Sequence, residues 1–238
     1  MSGDISNQDG IRDSRLYDLL MGSPLILLSG FALAGFAILV PQQLRAVRPD
    51  YALLTTEAVT GLFLALQLVL VCVRRLPVKK VGGVAPKLWA FAGANFGYAI
   101  LLLPRANLGP LMASLSTVIV VCGTTGSIVT LAYLGKAFAI LPQARLLVTG
   151  GPYAYVRHPL YLFEQLATLG VALQYRQPWG LMMVAVSIAI QFPRMRYEEE
   201  TLKAAFPEYR AYARLTPRII PFPVMATKRV GRDVDFCK

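Results

Sequence analysis

LMASLSTVIVVCGTTGSIVTLAYL, residues 111–134, contains no charged side chain. A helix needs roughly 20 mostly apolar residues to cross the hydrocarbon core of a bilayer, and this run is long enough to do so. Three long apolar runs precede it and two shorter ones follow it: 23–41, 54–73, 88–104, 159–174 and 178–193. The pattern predicts an all-α, polytopic membrane protein with about six transmembrane helices.

The composition also indicates that lipid is the solvent for much of the chain. Hydrophobic residues make up 55% of the 238 residues and charged residues only 16%, whereas soluble domains carry about 25% charged residues. The net charge of +11 would suggest a nucleic-acid partner in a soluble protein. In a membrane protein, Lys and Arg must first be sorted by side of the bilayer, because they concentrate in cytoplasmic loops.

The Lys and Arg residues are divided very unequally if all six runs cross the membrane. With a cytoplasmic N-terminus, 20 of the 24 lie in cytoplasmic segments. We therefore expect an integral, multi-pass protein of the cell inner membrane or the endoplasmic reticulum, with both termini cytoplasmic and no nucleic-acid partner. A re-entrant hairpin formed by runs 159–174 and 178–193 would give the same distribution, so this alternative stays open.

Cysteine and histidine usage bears on disulfide and metal chemistry. The chain has three cysteines, an odd number, and Cys72 and Cys122 fall inside apolar runs, so we expect no disulfide framework. It has one histidine and neither CxxC nor HxxxH spacing, which predicts that there is no metal site. The opening stretch lacks the basic and apolar regions of a cleaved signal peptide, so we expect the N-terminus to be retained.

The chain divides by composition into two regions. Residues 1–134 hold an N-terminal tail and four apolar runs, in which glycines such as Gly30, Gly35, Gly123 and Gly126 predict close helix packing. The alternative for GTTG at 123–126 is a helix break that lines a cavity. Residues 135–238 carry most of the chemistry together with two further membrane helices. Prolines and glycines interrupt the segment before Pro159, and irregular backbone at membrane depth is tolerated only where protein or a polar cavity satisfies it. We therefore predict a ligand pocket there.

Beyond the last apolar run, the C-terminal region has an amphipathic pattern. Apolar and aromatic residues recur at helical spacing from 194 onward, with Pro207 interrupting them. This predicts a C-terminal amphipathic cytoplasmic helix, bent or split at the proline, that lies back on the membrane domain. The proline-rich run at 217–223 is predicted to be extended.

Two segments that flank the last two apolar runs emerge on the same cytoplasmic face and can meet over one pocket. The aromatic and ionisable residues of the first segment are Tyr153, Tyr155, Arg157, His158 and Tyr161. The ionisable residues of the second segment are Arg194, Arg196, Glu198 and Glu199. Cations suit a carboxylate, glutamates suit an ammonium group, and aromatic rings suit a purine. S-adenosylmethionine has all three parts, so we expect it as the cofactor.

The same residues carry a family resemblance over roughly the last 90 residues. GPYAYVRHPLY at 151–161, EE at 198–199 and FPEYRAYARLTPRIIPF at 206–222 resemble the isoprenylcysteine carboxyl methyltransferase family and, more loosely, the phospholipid N-methyltransferases. The resemblance implies that the cofactor contacts Leu146, Leu147, Val148, Tyr153, His158, Pro159, Leu160, Tyr161 and Glu198. It also implies that Arg194 faces the acceptor. Some members have a histidine where this sequence has Arg145, which leaves the role of that position open.

Methyl transfer from a sulfonium is an in-line displacement that needs positioning and exclusion of water and no covalent nucleophile. A carboxylate acceptor, as in the isoprenylcysteine enzymes, would be oriented by Arg194. An amine acceptor would need a base, for which His158 or Glu199 is the candidate. Arg194 and His158 are therefore the predicted catalytic residues. Because apolar runs wall the pocket, the acceptor should be amphiphilic, a lipid or a prenylated small molecule.

Two other functions stay open at this stage. Membrane sterol and steroid reductases also contain an RHP-type motif followed by an acid, comparable to Glu164, but they bind NADPH. The double glutamate and the EYxxY pattern favour methyl transfer over reduction. A non-catalytic membrane scaffold could keep the same fold without a cofactor. The sequence does not decide the oligomeric state or whether oxygen, nitrogen or sulfur accepts the methyl group.

Overall fold

The computed structural model describes residues 3–45, 51–80, 82–139 and 141–220, and it is mainly helical. The α-helices within these ranges are α1 Gly3–Leu44, α2 Tyr51–Val73, α3 Ala85–Asn95, α4 Pro110–Leu134, α5 Pro159–Ala172, α6 Trp179–Ala205 and α7 Tyr209–Leu215. Two short strands, β1 Lys79–Lys80 and β2 Gln143–Ala144, pair antiparallel, with Lys79 opposite Ala144. This small sheet connects the loop after α2 with the irregular segment before α5.

The helical segments run back and forth between two ends of the molecule. At one end, the loop after α3 meets the α5–α6 loop, where the Ala106 N–H donates to the Gln174 carbonyl and the Arg176 N–H to the Pro104 carbonyl, both at 2.9 Å. At the other end, the Arg75 N–H donates to the Lys136 carbonyl at 3.0 Å. These contacts place the loops after α3 and α5 at one end of the molecule and the loops after α2 and α4 at the other.

Close packing of α4 on α5 depends on glycines. A Cβ atom at Gly123 would lie 2.4 Å from the Ala167 backbone nitrogen, and one at Gly170 would lie 2.7 Å from the Val120 nitrogen. Any larger residue at these positions would push the two helices apart. The Ser116 hydroxyl donates to the Gly170 carbonyl at 2.8 Å and reinforces the contact. The predicted packing role is confirmed for Gly123 and Gly126. It is wrong for Gly30 and Gly35, where no atom lies within 4 Å of an added Cβ atom.

Among the described helices, three are long and apolar enough to cross a membrane: Ile26–Leu44, Leu54–Val73 and Pro110–Ala137. The other predicted runs differ from single long apolar helices. Run 88–104 is α3 followed by a 3-10 helix, Phe96–Leu102, and together these rise about 30 Å. Helix α5 has 14 residues and rises only about 21 Å, less than the roughly 30 Å core. The six-span count stays a prediction, and so does the re-entrant alternative.

The last apolar run and the charged sequence after it form one helix. Helix α6 spans 27 residues with Pro193 inside it, so the first half of the predicted separate C-terminal helix is the end of α6. Phe206 then adopts an extended conformation because the residue before a proline disfavours helical geometry. The chain resumes as the seven-residue α7. The predicted split at Pro207 is confirmed, while residues 221–223 of the proline-rich run lie outside the described residues.

Candidate functional site

A cavity of about 610 Å³ lies between the helices, within the size range of small-molecule sites. It follows one face of α5 along the whole length of that helix, and residues from α1, α2, α3, α4 and α6 complete its wall. One end, beside the loops before α5, is lined by Tyr153, Arg157, His158 and Glu198. The opposite end is lined by Arg105, Gln174 and Tyr175.

The loop before α5 is shaped by two local features of the sequence. Gly151 has a φ of +59°, and a Cβ atom there would lie 2.4 Å from the Tyr133 ring, so only glycine fits. Pro159 occupies the first turn of α5, where a missing N–H costs nothing. His158 therefore sits at the N-terminal cap of α5, and it is almost completely buried.

Glu199 on α6 is the centre of a buried ion cluster. It accepts hydrogen bonds from Arg218 Nη2 and Nε at 2.8 and 2.9 Å, and its oxygens lie 3.1 Å from Arg157 Nη1 and from His158 Nε2. The backbone N–H groups of Arg157 and His158 also donate to the carbonyls of Pro217 and Arg218. The cluster thus holds the segment after α7 against the start of α5.

The electrostatics of Glu199 keep it ionised. Burial by itself would raise its pKa, but hydrogen bonds from His158 and Arg218 and the charge of Arg157 outweigh this and lower the pKa from 4.5 to about 2. Only 1% of the residue is exposed. A carboxylate that is so stable as an anion and already paired with three cationic or polar partners is a structural anchor and a poor proton acceptor. This arrangement argues against Glu199 as a general base.

Glu198, the neighbour of Glu199, points instead into the cavity. The Tyr161 hydroxyl donates to Glu198 Oε2 at 2.6 Å, and no other described residue hydrogen-bonds this carboxylate. Tyr161 stacks on His158 with ring centroids 5.4 Å apart. The guanidinium carbon of Arg194 lies 4.6 Å from the Tyr161 ring centre, in cation–π geometry. Tyr161 therefore joins the α5 motif to both α6 residues.

Arg194 is held from its other side by α3. Its Nη1 donates to Gln191 Oε1 at 3.3 Å, and Gln191 Nε2 donates to the Gly93 carbonyl at 3.1 Å. A Cβ atom at Gly93 would lie 2.9 Å from Arg194 Cδ, so the glycine makes room for the arginine. Arg194 is thereby fixed in the cavity wall, where it can act on a ligand with little loss of side-chain entropy.

The structure brings only part of the predicted site together. Arg194 and five of the predicted cofactor residues line the cavity: Tyr153, His158, Leu160, Tyr161 and Glu198. Pro159, Leu146, Leu147 and Val148 do not line it, and Leu146 is 44% exposed. The cofactor contacts of all these residues stay predictions, as do the catalytic roles of Arg194 and His158.

Arg145, whose role the sequence left open, lies away from the cavity lining. It is buried, and its guanidinium donates to the Arg75 carbonyl and, at 2.6 Å, to Gln143 Oε1. It therefore braces the loop after α2 against β2.

Several residues of the cavity wall and of the ion cluster around Glu199 were not predicted from the sequence. Arg218 was not predicted because nothing in a proline-rich run marks one arginine as the partner of a buried glutamate. Glu164 was noted only in comparison with the reductases, although it lies three residues after Tyr161 and hence on the same face of α5. Gln165 and Gln191 also line the cavity. Helical spacing from Tyr161 and Arg194 would have found Glu164 and Gln191.

The side chains at the loop end of the cavity fit the predicted cofactor. Glu198 has one oxygen bonded by Tyr161 and the other available for an ammonium group. Arg194 and His158 can donate to a carboxylate, and Tyr153, Leu160 and Tyr161 provide ring and apolar surface for a purine. Within the described residues, no group of three or more His, Cys, Asp or Glu side chains is placed to hold a metal ion.

Comparison with known proteins places residues 104–209 in a recognised family. This segment matches the family model of the phospholipid methyltransferases, and it contains the RHP motif, Arg194 and both glutamates. The resemblance to the group of membrane methyltransferases that includes the isoprenylcysteine enzymes is confirmed for this segment. The match supports a membrane methyltransferase in general.

Two curated relatives match part of the chain. The cobalt-zinc-cadmium resistance protein CzcN of Cupriavidus metallidurans is 36% identical over 98 residues, which cover 39% of this chain and 45% of that protein. The nickel-cobalt-cadmium resistance protein NccN of Alcaligenes xylosoxydans xylosoxydans is 33% identical over 98 residues, which cover 39% of this chain and 46% of that protein. The matched region thus spans less than half the length of either relative.

Proposed function

We propose that this chain, which carries a phospholipid methyltransferase segment, transfers the methyl group of S-adenosylmethionine to the polar head of an amphiphilic acceptor at the cytoplasmic membrane face. One observation carries the proposal. The motif residues Tyr161, Glu198 and Arg194 converge on a single cavity that continues into apolar space between the membrane helices. A polar cofactor end and an apolar acceptor end are thereby joined in one site.

The cofactor end is supported by the chemistry of its wall. S-adenosylmethionine, when bound, supplies a methyl group activated by a sulfonium. The open oxygen of Glu198 can accept a hydrogen bond from an ammonium group, and His158 can engage the other polar end of the same ligand. The ion cluster around Glu199 fixes the His158 ring, because Nε2 of that ring is already bonded to Glu199. These residues bind and orient the ligand before any chemistry occurs.

The acceptor end is supported by the apolar wall that α1 and α2 contribute. Phe36, Leu39, Phe63 and Leu64 line the cavity there. Phe31 also lines it and is 81% exposed, so the cavity reaches the lipid-facing surface beside α1. An acyl or prenyl tail would gain about 0.8 kcal/mol per buried methylene. We infer that the acceptor enters sideways from the membrane and brings its head to Arg194.

The chain's part in the reaction is mainly positional. A methyl transfer proceeds in line, so the residues must hold the acceptor atom about 3–3.5 Å from the methyl carbon and keep water out. Arg194, fixed by Tyr161 and Gln191, orients the acceptor head. His158 lies between the ion cluster and Tyr161, which suits the positioning of the cofactor end. Glu199 is poorly placed to remove a proton from the acceptor, because that carboxylate is enclosed by Arg157, His158 and Arg218.

Equilibrium binding to the detergent-purified chain tests the proposal and separates it from the two alternatives. We expect S-adenosylmethionine and S-adenosylhomocysteine to bind with one site per chain and NADPH not to bind. Binding of NADPH alone would favour a membrane reductase. Binding of none of the three would favour a scaffold and overturn the proposal.

A further inference from the structure

Gln67 on α2 and Thr124 on α4 are polar side chains among the membrane helices for which the reaction above has no use. Both line the cavity, and only 7% of Gln67 and 6% of Thr124 is exposed. Neither side chain hydrogen-bonds to any residue that the structure describes, and the polar atoms of both are accessible from the cavity. Both side chains can therefore bind a ligand without giving up a contact within the protein.

Polar side chains in membrane helices ordinarily hydrogen-bond to a neighbouring helix and stabilise the packing. Ser116 on α4 is an example, because its hydroxyl donates to the Gly170 carbonyl of α5 at 2.8 Å. Gln67 and Thr124 make no such contact within the described part of the chain, although a buried polar group without a partner costs free energy. Helix packing does not account for these two residues, whereas a ligand group in the cavity can supply the missing hydrogen bonds.

The two side chains face the same level of the cavity. Helices α2 and α4 run in the same direction, since the loops after them lie at the same end of the molecule. Leu70 of α2 and Leu131 of α4 belong to one packed cluster, and Gln67 and Thr124 precede these leucines by about 4.5 and 10 Å of helix. Helical side chains point back towards the N-terminus, so the long Gln67 side chain extends towards the level of Thr124.

This level lies deeper in the membrane than the reaction end of the cavity. Gly123, the neighbour of Thr124, packs against Ala167 of α5. Ala167 follows Tyr161 by six residues, a rise of about 9 Å, and Gln67 approaches from the shallower side. The two polar side chains are therefore placed between about 3 and 9 Å below the head group that Arg194 orients. At that depth a bound amphiphile presents the atoms that join its head to its tail.

We propose that Gln67 and Thr124 form a hydrogen-bonding subsite for a linker group between the head and the tail of the acceptor, a group that both donates and accepts, such as a secondary amide or a hydroxyl. This inference rests on the proposed function and adds a chemical feature of the acceptor to it. It is independent of the identity of the head group.

The requirement for a group that both donates and accepts follows from the chemistry of the Gln67 amide. Its nitrogen donates and its oxygen accepts, and both lose water when an apolar tail fills the cavity. An ester can accept from the nitrogen but leaves the oxygen without a donor, and an unbroken alkyl chain leaves both atoms unpaired. A secondary amide or a hydroxyl can pair with both atoms, and the Thr124 hydroxyl adds one further donor and acceptor.

The experiment titrates the full chain in detergent with four amphiphiles that share a hydroxyl head and a chain of equal length. N-(2-hydroxyethyl)dodecanamide carries an amide linker, pentadecane-1,4-diol a hydroxyl, 2-hydroxyethyl dodecanoate an ester, and pentadecan-1-ol no linker group. Each affinity is compared between wild type and Gln67→Leu, because partition of a probe into the micelles is the same for both. Gln67→Leu should weaken binding of the amide and the diol about tenfold, the effect of losing one or two buried hydrogen bonds.

The ester should lose only about threefold in Gln67→Leu, and pentadecan-1-ol should bind unchanged. Thr124→Val keeps the shape of the side chain and should weaken amide and diol binding about threefold; it also provides a second test if Gln67→Leu does not fold. The matched control is Gln42→Leu, which removes the same amide from an exposed position on α1 and should behave like the wild type.

The outcomes separate this inference from the proposed function. A loss confined to the amide or to the diol would support the subsite and identify the linker. Amide and diol binding that is unchanged in both Gln67→Leu and Thr124→Val, or an equal loss for all four probes, would overturn the inference. Failure of the wild type to bind S-adenosylhomocysteine would instead contradict the proposed function, while a Gln67-dependent linker preference would still stand.

Discussion

His158 and Glu198 come from two different helices and meet at the loop end of the cavity, each with one position open to a ligand. We expect His158→Ala and Glu198→Ala each to weaken S-adenosylhomocysteine binding about tenfold, because each removes a polar partner of the amino acid end of the cofactor. Isothermal titration in detergent measures the affinity. Glu200→Ala, on the exposed side of α6, is the matched control. Wild-type affinity in both His158→Ala and Glu198→Ala would remove the proposed cofactor site.

Substitution of Glu199, the neighbour of Glu198, should reduce the stability of the protein more than it weakens ligand binding. Glu199→Gln removes the buried anion that pairs with His158, Arg157 and Arg218, and breaking a buried ion pair typically costs about 3–5 kcal/mol. We expect Glu199→Gln to have a lower melting temperature than the wild type in detergent at pH 7. The control variant Glu200→Gln should keep the wild-type melting temperature. A melting temperature equal to that of the wild type would show that the cluster contributes little.

The depressed pKa of Glu199 predicts how this difference depends on pH. The folded pKa of about 2 lies below the value of roughly 4.3 for an unfolded glutamate, so the contribution is fully present above about pH 4.3 and is lost as the pH falls towards 2. The gap in melting temperature between wild type and Glu199→Gln should therefore narrow across this window. A gap that stays constant down to pH 2 would argue against the ion cluster.

Site residues that lie close together in the sequence are easier to predict than site residues that come from distant segments. Tyr153, His158 and Tyr161 are close together in one motif, so their shared location at the cavity was predictable. Without the family resemblance, the two adjacent glutamates look equivalent in sequence, yet Glu198 faces the cavity and Glu199 faces the ion cluster. Residues that are neighbours in an α-helix point about 100° apart, and only the positions of Tyr161 and Arg218 decide which glutamate meets which partner.

Among the helices, the contact between α4 and α5 is the one most sensitive to a single methyl group. Gly123→Ala would place a Cβ atom 2.4 Å from the Ala167 backbone, so we expect the helices to separate and the cavity to lose its shape. Both the melting temperature and S-adenosylhomocysteine affinity should fall. The control is Gly30→Ala in α1, where no atom lies within 4 Å of the added Cβ. If Gly123→Ala behaved like Gly30→Ala, this packing would not be needed for the site.

The apolar runs predicted where helices occur but less well where they begin, break and end. Run 111–134 corresponds closely to α4 because it is long, uncharged and free of proline. Run 88–104 is also apolar, yet it changes from α-helix to 3-10 helix at Phe96, a change that the apolar composition does not encode. Run 178–193 continues into charged sequence as α6. Beyond the apolar part, the helix is held by the pairing of Glu199 with Arg157, His158 and Arg218 from other segments.

For the whole molecule, the unequal distribution of Lys and Arg predicts the membrane topology. We expect a reporter fused after Lys238 to lie in the cytoplasm and a reporter inserted in the 103–109 loop to be exported. Alkaline phosphatase is active only on the exported side of the membrane and green fluorescent protein fluoresces only on the cytoplasmic side, so each fusion checks the other. An exported reporter after Lys238 would contradict the orientation, and with it the cytoplasmic location of the site.

The central claim is that one cavity joins a methyl donor to a membrane-borne acceptor, and labelled methyl transfer in membranes tests it most directly. Vesicles containing the wild type are incubated with isotopically labelled S-adenosylmethionine and with long-tailed and short-tailed forms of the same head group. We expect label to appear on the long-tailed acceptor, much less on the short-tailed one, and very little on either with Glu198→Ala. Efficient transfer to short, water-soluble acceptors alone, or transfer that is unaffected by Glu198→Ala, would contradict the account.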